Sequence, residues 1–123
     1  MNSNEIEVQI VEIGEVNFFS EVVQSKVPVL VGFLAPWSQP YQVLRAVLDE
    51  IVTACDGSVK VAWVNADDNP NLSRWYRIKS IPTLVYFVDG RPRARVIGAA
   101  SKEAILSQLK PFMETSWRPE DNL

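Results

Sequence analysis

Trp37-Ser38-Gln39-Pro40-Tyr41 places a hydroxyl, an amide and a phenol at the head of a helical pattern, and one thiol, Cys55, follows at its far end. The chain has a single cysteine and no histidine. Intramolecular disulfides, Cys/His zinc sites and every Ser-His or Cys-His pair are thereby excluded, and no metal is expected. Ser38 has no histidine to act as its base, which rules it out as a hydrolytic nucleophile. It suits a helix N-cap instead: Pro40 lacks an N–H, so the Ser38 hydroxyl is expected to accept from the backbone of Tyr41. Cys55 stands 17 positions beyond Ser38, or ~25 Å along a helix, which is too far for it to serve as a lone redox thiol at that end. It reads as a small buried residue at the helix end, with a regulatory or intermolecular thiol as the alternative.

These groups are carried by 123 residues, 47% of them hydrophobic, enough for one domain with one core and no disulfide or metal support. The expected division is a single domain over residues 1–113 and a polar tail over residues 114–123. Twelve basic and fifteen acidic residues give a net charge of -3, which disfavours a nucleic-acid partner. The N-terminus has neither a basic stretch nor an apolar run, and no apolar segment approaches the ~20 residues of a membrane span. A cytoplasmic protein with no membrane contact is expected. Charge is uneven: Glu5, Glu7, Glu12, Glu15 and Glu21 precede the first base, Lys26. Arg74, Arg77, Lys79, Arg91, Arg93 and Arg95 face only Asp89 in their stretch.

The elements that must position the site alternate between strand and helix patterns. Ile6 to Val11 reads as a strand and Asn17 to Gln24 as a short helix. Val27 to Leu34 is almost unbroken apolar sequence, as in a central strand covered on both faces. From Gln39 to about Ala54, Val43, Leu44, Val47, Leu48, Ile51 and Val52 paint one helical stripe. Val59 to Val64 is the next strand, and Asn69-Pro70 opens a short helix with proline at its first position. Thr83 to Val88, Asp89-Gly90 and Arg93 to Ile97 form a hairpin, because Asp-Gly supplies the positive φ angles of a tight turn. Pro92 and the arginines mark an edge strand, with Arg91, Arg93 and Arg95 expected on one face. Ser101 caps a last helix, Lys102 to Met113. The fold class is α/β: a three-layer sandwich in the order β-α-β-α-β-α-β-β-α, its mixed central sheet ending in a C-terminal hairpin and its helices on both faces.

That order, with particular residues, resembles the thioredoxin family from about Val8 to Met113. Pro28 to Trp37 looks like the strand and loop entering the family's Trp-Cys-Gly-Pro-Cys motif. Ser80-Ile81-Pro82-Thr83-Leu84 looks like its cis-proline segment, Ile97-Gly98-Ala99 like the third loop of its client groove, and Asp67, Asn69 and Pro70 fit the entry to its third helix. The resemblance puts Ser38 and Tyr41 at the two thiol positions, Gly32 at a buried aspartate and Trp63 at its lysine partner. A hydroxyl and a phenol cannot perform the two-thiol exchange, so no catalytic residue and no cofactor is expected. The resemblance then implies a redox-inactive protein that binds a protein or extended peptide through the former groove, at Trp37, Gln39, Pro40, Tyr41, Ile81, Pro82, Gly98 and Ala99. It would serve as a chaperone, assembly factor or complex subunit. The alternatives are a thiol-disulfide oxidoreductase, by family resemblance, and a glutathione-binding transferase-like module using Ser38.

Overall fold

A computed structural model describes residues 10–117. Five strands form one sheet in the order β1-β3-β2-β4-β5: β1 Val11–Ile13, β2 Val29–Leu34, β3 Lys60–Asn65, β4 Thr83–Val88 and β5 Arg91–Ile97. β1, β3 and β2 are parallel, while β4 and β5 are antiparallel to their neighbours. The helices are α1 Tyr41–Cys55, α2 Pro70–Trp75 and α3 Lys102–Trp117. The chain is thus the mixed α/β sandwich that its patterning predicts.

β2 is buried along its whole length, and its alternating side chains feed two cores. Leu30 and Leu34 join Leu44, Leu48 and Ile51 of α1 and Ile105 and Leu109 of α3. Val29, Val31 and Phe33 join Phe18, Val22 and Leu72 on the opposite face. Gly32 lies between these residues on the α1 side. A Cβ there would stand 3.1 Å from Leu84 Cδ2 and 3.2 Å from Leu48 Cδ1, so the two leucines occupy the space of a side chain.

Several local expectations change on folding. Of the expected first strand only Ile10 and Val11 are described, and β1 runs Val11–Ile13. The expected helix from Asn17 closes as a π-helical turn, Phe19–Val23, in which Gln24 N–H donates to the Phe19 carbonyl at 2.9 Å. The last helix continues through Trp117, past the boundary expected at Met113, and residues 118–123 of the expected tail lie outside the described residues. The three arginines of β5 do not share a face. Pro92 opposes Phe87 and Ala94 opposes Tyr86, so Arg93 is the extra residue of a bulge. Arg91, opposite Val88, and Arg95, opposite Val85, therefore lie on different faces.

Two caps hold the helices in place. Ser101 Oγ accepts from Ala104 N–H at 3.1 Å, as expected of an N-cap. Asn69 Oδ1 accepts from Glu15 N–H at 2.9 Å, while Glu15 Oε2 accepts from Asn71 N–H at 2.8 Å in the first turn of α2. This exchange joins segments 54 and 56 residues apart, and it needs Gly14, where a Cβ would meet Asn69 Oδ1 at 2.7 Å.

Ser101→Ala is expected to destabilise the protein by about 1 kcal/mol in urea unfolding, the cost of one lost cap. Gly32→Asp is expected to cost more than ~3 kcal/mol, since it puts an unpaired carboxylate between two leucines. A loss below ~1 kcal/mol in the same measurement would show that the site opens to water.

Candidate functional site

The end of β2 delivers the chain into a tight connection. Ser38 N–H donates to the Ala35 carbonyl at 2.9 Å, and Tyr41 N–H to the Ser38 carbonyl at 3.2 Å. The expected cap is thus corrected: Tyr41 is bonded by the Ser38 backbone and not by its hydroxyl, and Pro40 is the N-cap residue of α1. The turn already supplies a carbonyl facing that N–H, which leaves the side chain no role there. Trp37 is 72% exposed, with its indole N–H donating to Asp67 Oδ2. Asp67 is itself set by Asn65, whose Oδ1 accepts from Asp67 N–H at 3.1 Å.

Tyr41, Arg45 and Trp63 make a cluster under the first turn of α1 that the sequence reading did not foresee. Arg45 Nη1 donates to Tyr41 Oη at 3.1 Å. The Tyr41 and Trp63 rings meet edge-on at 5.5 Å between centroids, and the Arg45 guanidinium carbon lies 5.3 Å from the Trp63 centroid and 5.9 Å from that of Tyr41. A guanidinium held over two rings is worth ~0.5–2 kcal/mol as burial increases. The available signal was a cation four residues after an aromatic on one helix.

The other singled-out residues gather at the same end of the sheet. The Ile81-Pro82 peptide bond is cis, and Thr83 opposite Phe33 sets this loop beside the exit of β2. Gly98 N–H donates to the Pro82 carbonyl at 2.9 Å, which fixes the Gly98-Ala99 loop against it. Trp37, Gln39, Pro40, Tyr41, Ile81, Pro82, Gly98 and Ala99 therefore share one end of the fold. Ile97 beside them is 69% exposed.

Cys55 lies elsewhere. It ends α1, ~21 Å from Tyr41 along the helix. There it lines an apolar groove of about 830 Å³ with Pro28, Val59, Leu106 and Met113. Partial burial pushes the Cys55 thiol above its ordinary pKa. Among the described residues no group of three or more His, Cys, Asp or Glu side chains is placed to hold a metal ion. No helix among them is long and apolar enough to cross a membrane.

The thioredoxin family model matches residues 9–111. Thioredoxin of Synechocystis sp. is 39% identical over 102 residues, spanning 83% of this chain and 95% of that protein. Thioredoxin 1 of Synechococcus elongatus is 41% identical over 97 residues, 79% of this chain and 91% of that protein. Thioredoxin of Griffithsia pacifica is 35% identical over 109 residues, 89% of this chain and all of that protein. Relatives of this identity, all named thioredoxin, overturn the expectation of a redox-inactive chaperone, assembly factor or complex subunit that binds through the former groove. With a family model over nearly its whole length and relatives matched almost end to end, the chain belongs to the thioredoxin family.

Proposed function

We propose that this protein takes part in thiol–disulfide exchange, the chemistry expected of a thioredoxin. The observation carrying this reading is 35–41% identity to thioredoxins over 79–89% of the chain. Ser38 and Tyr41 stand, on this reading, at the two thiol positions of the family motif. The chain's only thiol is then Cys55, and the exchange runs through one thiol instead of two.

The steps follow from sulfur chemistry. The Cys55 thiolate attacks one sulfur of a client disulfide, forming a mixed disulfide and releasing one client thiolate. An external thiol attacks the Cys55 sulfur and releases the second client thiolate. A second external thiol then restores Cys55, so that two external thiols are oxidised to one disulfide as the client disulfide is reduced. The client is a protein or peptide disulfide, and the setting is the cytoplasm, where small thiols are kept reduced. The groove beside Cys55 gives an apolar approach to the sulfur. Burial that raises the thiol pKa makes the attack slow at neutral pH, because only the thiolate reacts.

Two outcomes test this. The protein is expected to accelerate insulin reduction by dithiothreitol, and Cys55→Ser to abolish the acceleration while Ser38→Ala leaves it unchanged; no acceleration over dithiothreitol alone at any pH up to ~9.5 overturns the reading. The Cys55-dependent rate is also expected to rise nearly tenfold per pH unit from about pH 7. The rise should continue beyond ~8.5, where an ordinary thiol levels off, because the folded thiol titrates later. Iodoacetamide labelling of Cys55 against pH checks that sign independently.

A further inference from the structure

Among the described residues, β5 is the edge strand of the sheet on this side. Together with the last turn of α2 it carries the densest positive charge of the chain. Arg74, Arg77, Lys79, Arg91, Arg93 and Arg95 fall between Pro70 and Ile97, with Asp89 the one acid in that span. All six are exposed. Among the described residues the one ion pair is Lys60–Glu21, at 3.1 Å, so none of the six has a carboxylate partner there.

The fold brings the β5 and α2 ends of this charge together. Arg95 Nη2 donates to the Tyr76 carbonyl, which ties β5 to the end of α2. Tyr76 is flanked in sequence by Trp75 and Arg77, and Arg74 precedes them, its Nη2 donating to Asn71 Oδ1 at 3.2 Å. Beneath this corner Tyr76 packs on Phe87 and Phe18, with ring centroids 5.2 and 5.4 Å away. Trp75, which follows Arg74 and precedes Tyr76 and Arg77 in sequence, is 73% exposed. Glu12, Glu15 and Glu21 lie on and just after β1, at the opposite edge of the sheet. The positive corner therefore belongs to one edge of a net acidic molecule.

Guanidinium groups pair with carboxylates or phosphates through paired N–H donors. A polynucleotide carries a charge every ~1.7 Å of duplex and would run past this corner onto the acidic remainder of the chain. An acidic peptide segment ends where the patch ends. Addition of a strand to β5 is a poor mode, because Pro92 lacks an N–H and the Arg93 bulge interrupts the edge. Recognition must run through side chains, with Trp75 as the apolar anchor among charges.

We infer that the corner formed by Arg74, Trp75, Arg77, Arg93 and Arg95 is a docking surface for an acidic segment of a partner protein that also presents an apolar side chain to Trp75. The surface does not involve Cys55, so it stands or falls apart from the thiol reading.

Titration of the full chain into a fluorescently labelled Glu-rich peptide carrying one phenylalanine tests it, read by anisotropy. Arg74→Gln/Arg77→Gln is expected to weaken binding ~10-fold and Trp75→Ala several-fold, with circular dichroism confirming that both variants are folded. Raising salt from ~50 to ~300 mM is expected to weaken wild-type binding by a similar factor. Lys26→Gln/Lys110→Gln removes the same charge elsewhere on the surface and is expected to stay within twofold. Equal losses in the two double variants, binding of charge-matched oligo(dT) as tight as the peptide's, or no peptide binding below ~1 mM would each overturn the inference.

Discussion

Because all six residues of β2 are buried, its backbone must find hydrogen-bond partners on both edges and its side chains must be covered on both faces. β3 supplies one edge in parallel and β4 the other in antiparallel pairing. α1 and α3 cover one face, and the π-helical turn and α2 cover the other. Packing is tight enough at Gly32 that Leu48 and Leu84 fill the place of a side chain. A change at this strand is felt in both cores at once, since successive residues of β2 belong to different ones.

The same strand fixes where chemistry sits. Its C-terminal end emits the Trp37 to Tyr41 connection, and pairing with β4 brings the Pro82 loop alongside, with Gly98 hydrogen-bonded to it. Its N-terminal end lies by Pro28, where α1 terminates and Cys55 faces an apolar groove. Hydroxyl and thiol are thus held at opposite ends of one helix. At the first of these ends, Arg45 over Tyr41 and Trp63 ties helix to sheet. The aromatic and cationic residues there form packing contacts of their own.

Charge follows the sheet's edges. The acidic residues after β1 are partly consumed in structure: Glu15 caps α2, and Glu21 pairs with Lys60. Among the described residues, the hydrogen bonds of the β5 and α2 cations are neutral, to the Tyr76 carbonyl and the Asn71 amide. One edge of the molecule therefore carries acidic charge partly used within the fold, and the other carries cations without carboxylate partners among the described residues.

Periodicity sufficed for the order of elements, the central position of β2, the Asp89-Gly90 hairpin, the proline at the start of α2 and the Ser101 cap, because each rests on spacing or on one residue's backbone preference. The absence of histidine and the single cysteine likewise restrict the chemistry before any folding is considered. Where sequence reading failed, the cause was contact between distant segments or a change in register. Strict alternation put three arginines on one face, but a bulge opposite Tyr86 and Phe87 turned Arg95 toward α2. The Ser38 hydroxyl had a capping role only until the turn supplied its own carbonyl. Glu15 caps a helix 56 residues away, and Arg45 finds Trp63 across a helix–sheet interface. Local pattern determines which elements form; which side chains meet between elements is decided only when the sheet closes, since those energies depend on distances the chain does not have until it is folded.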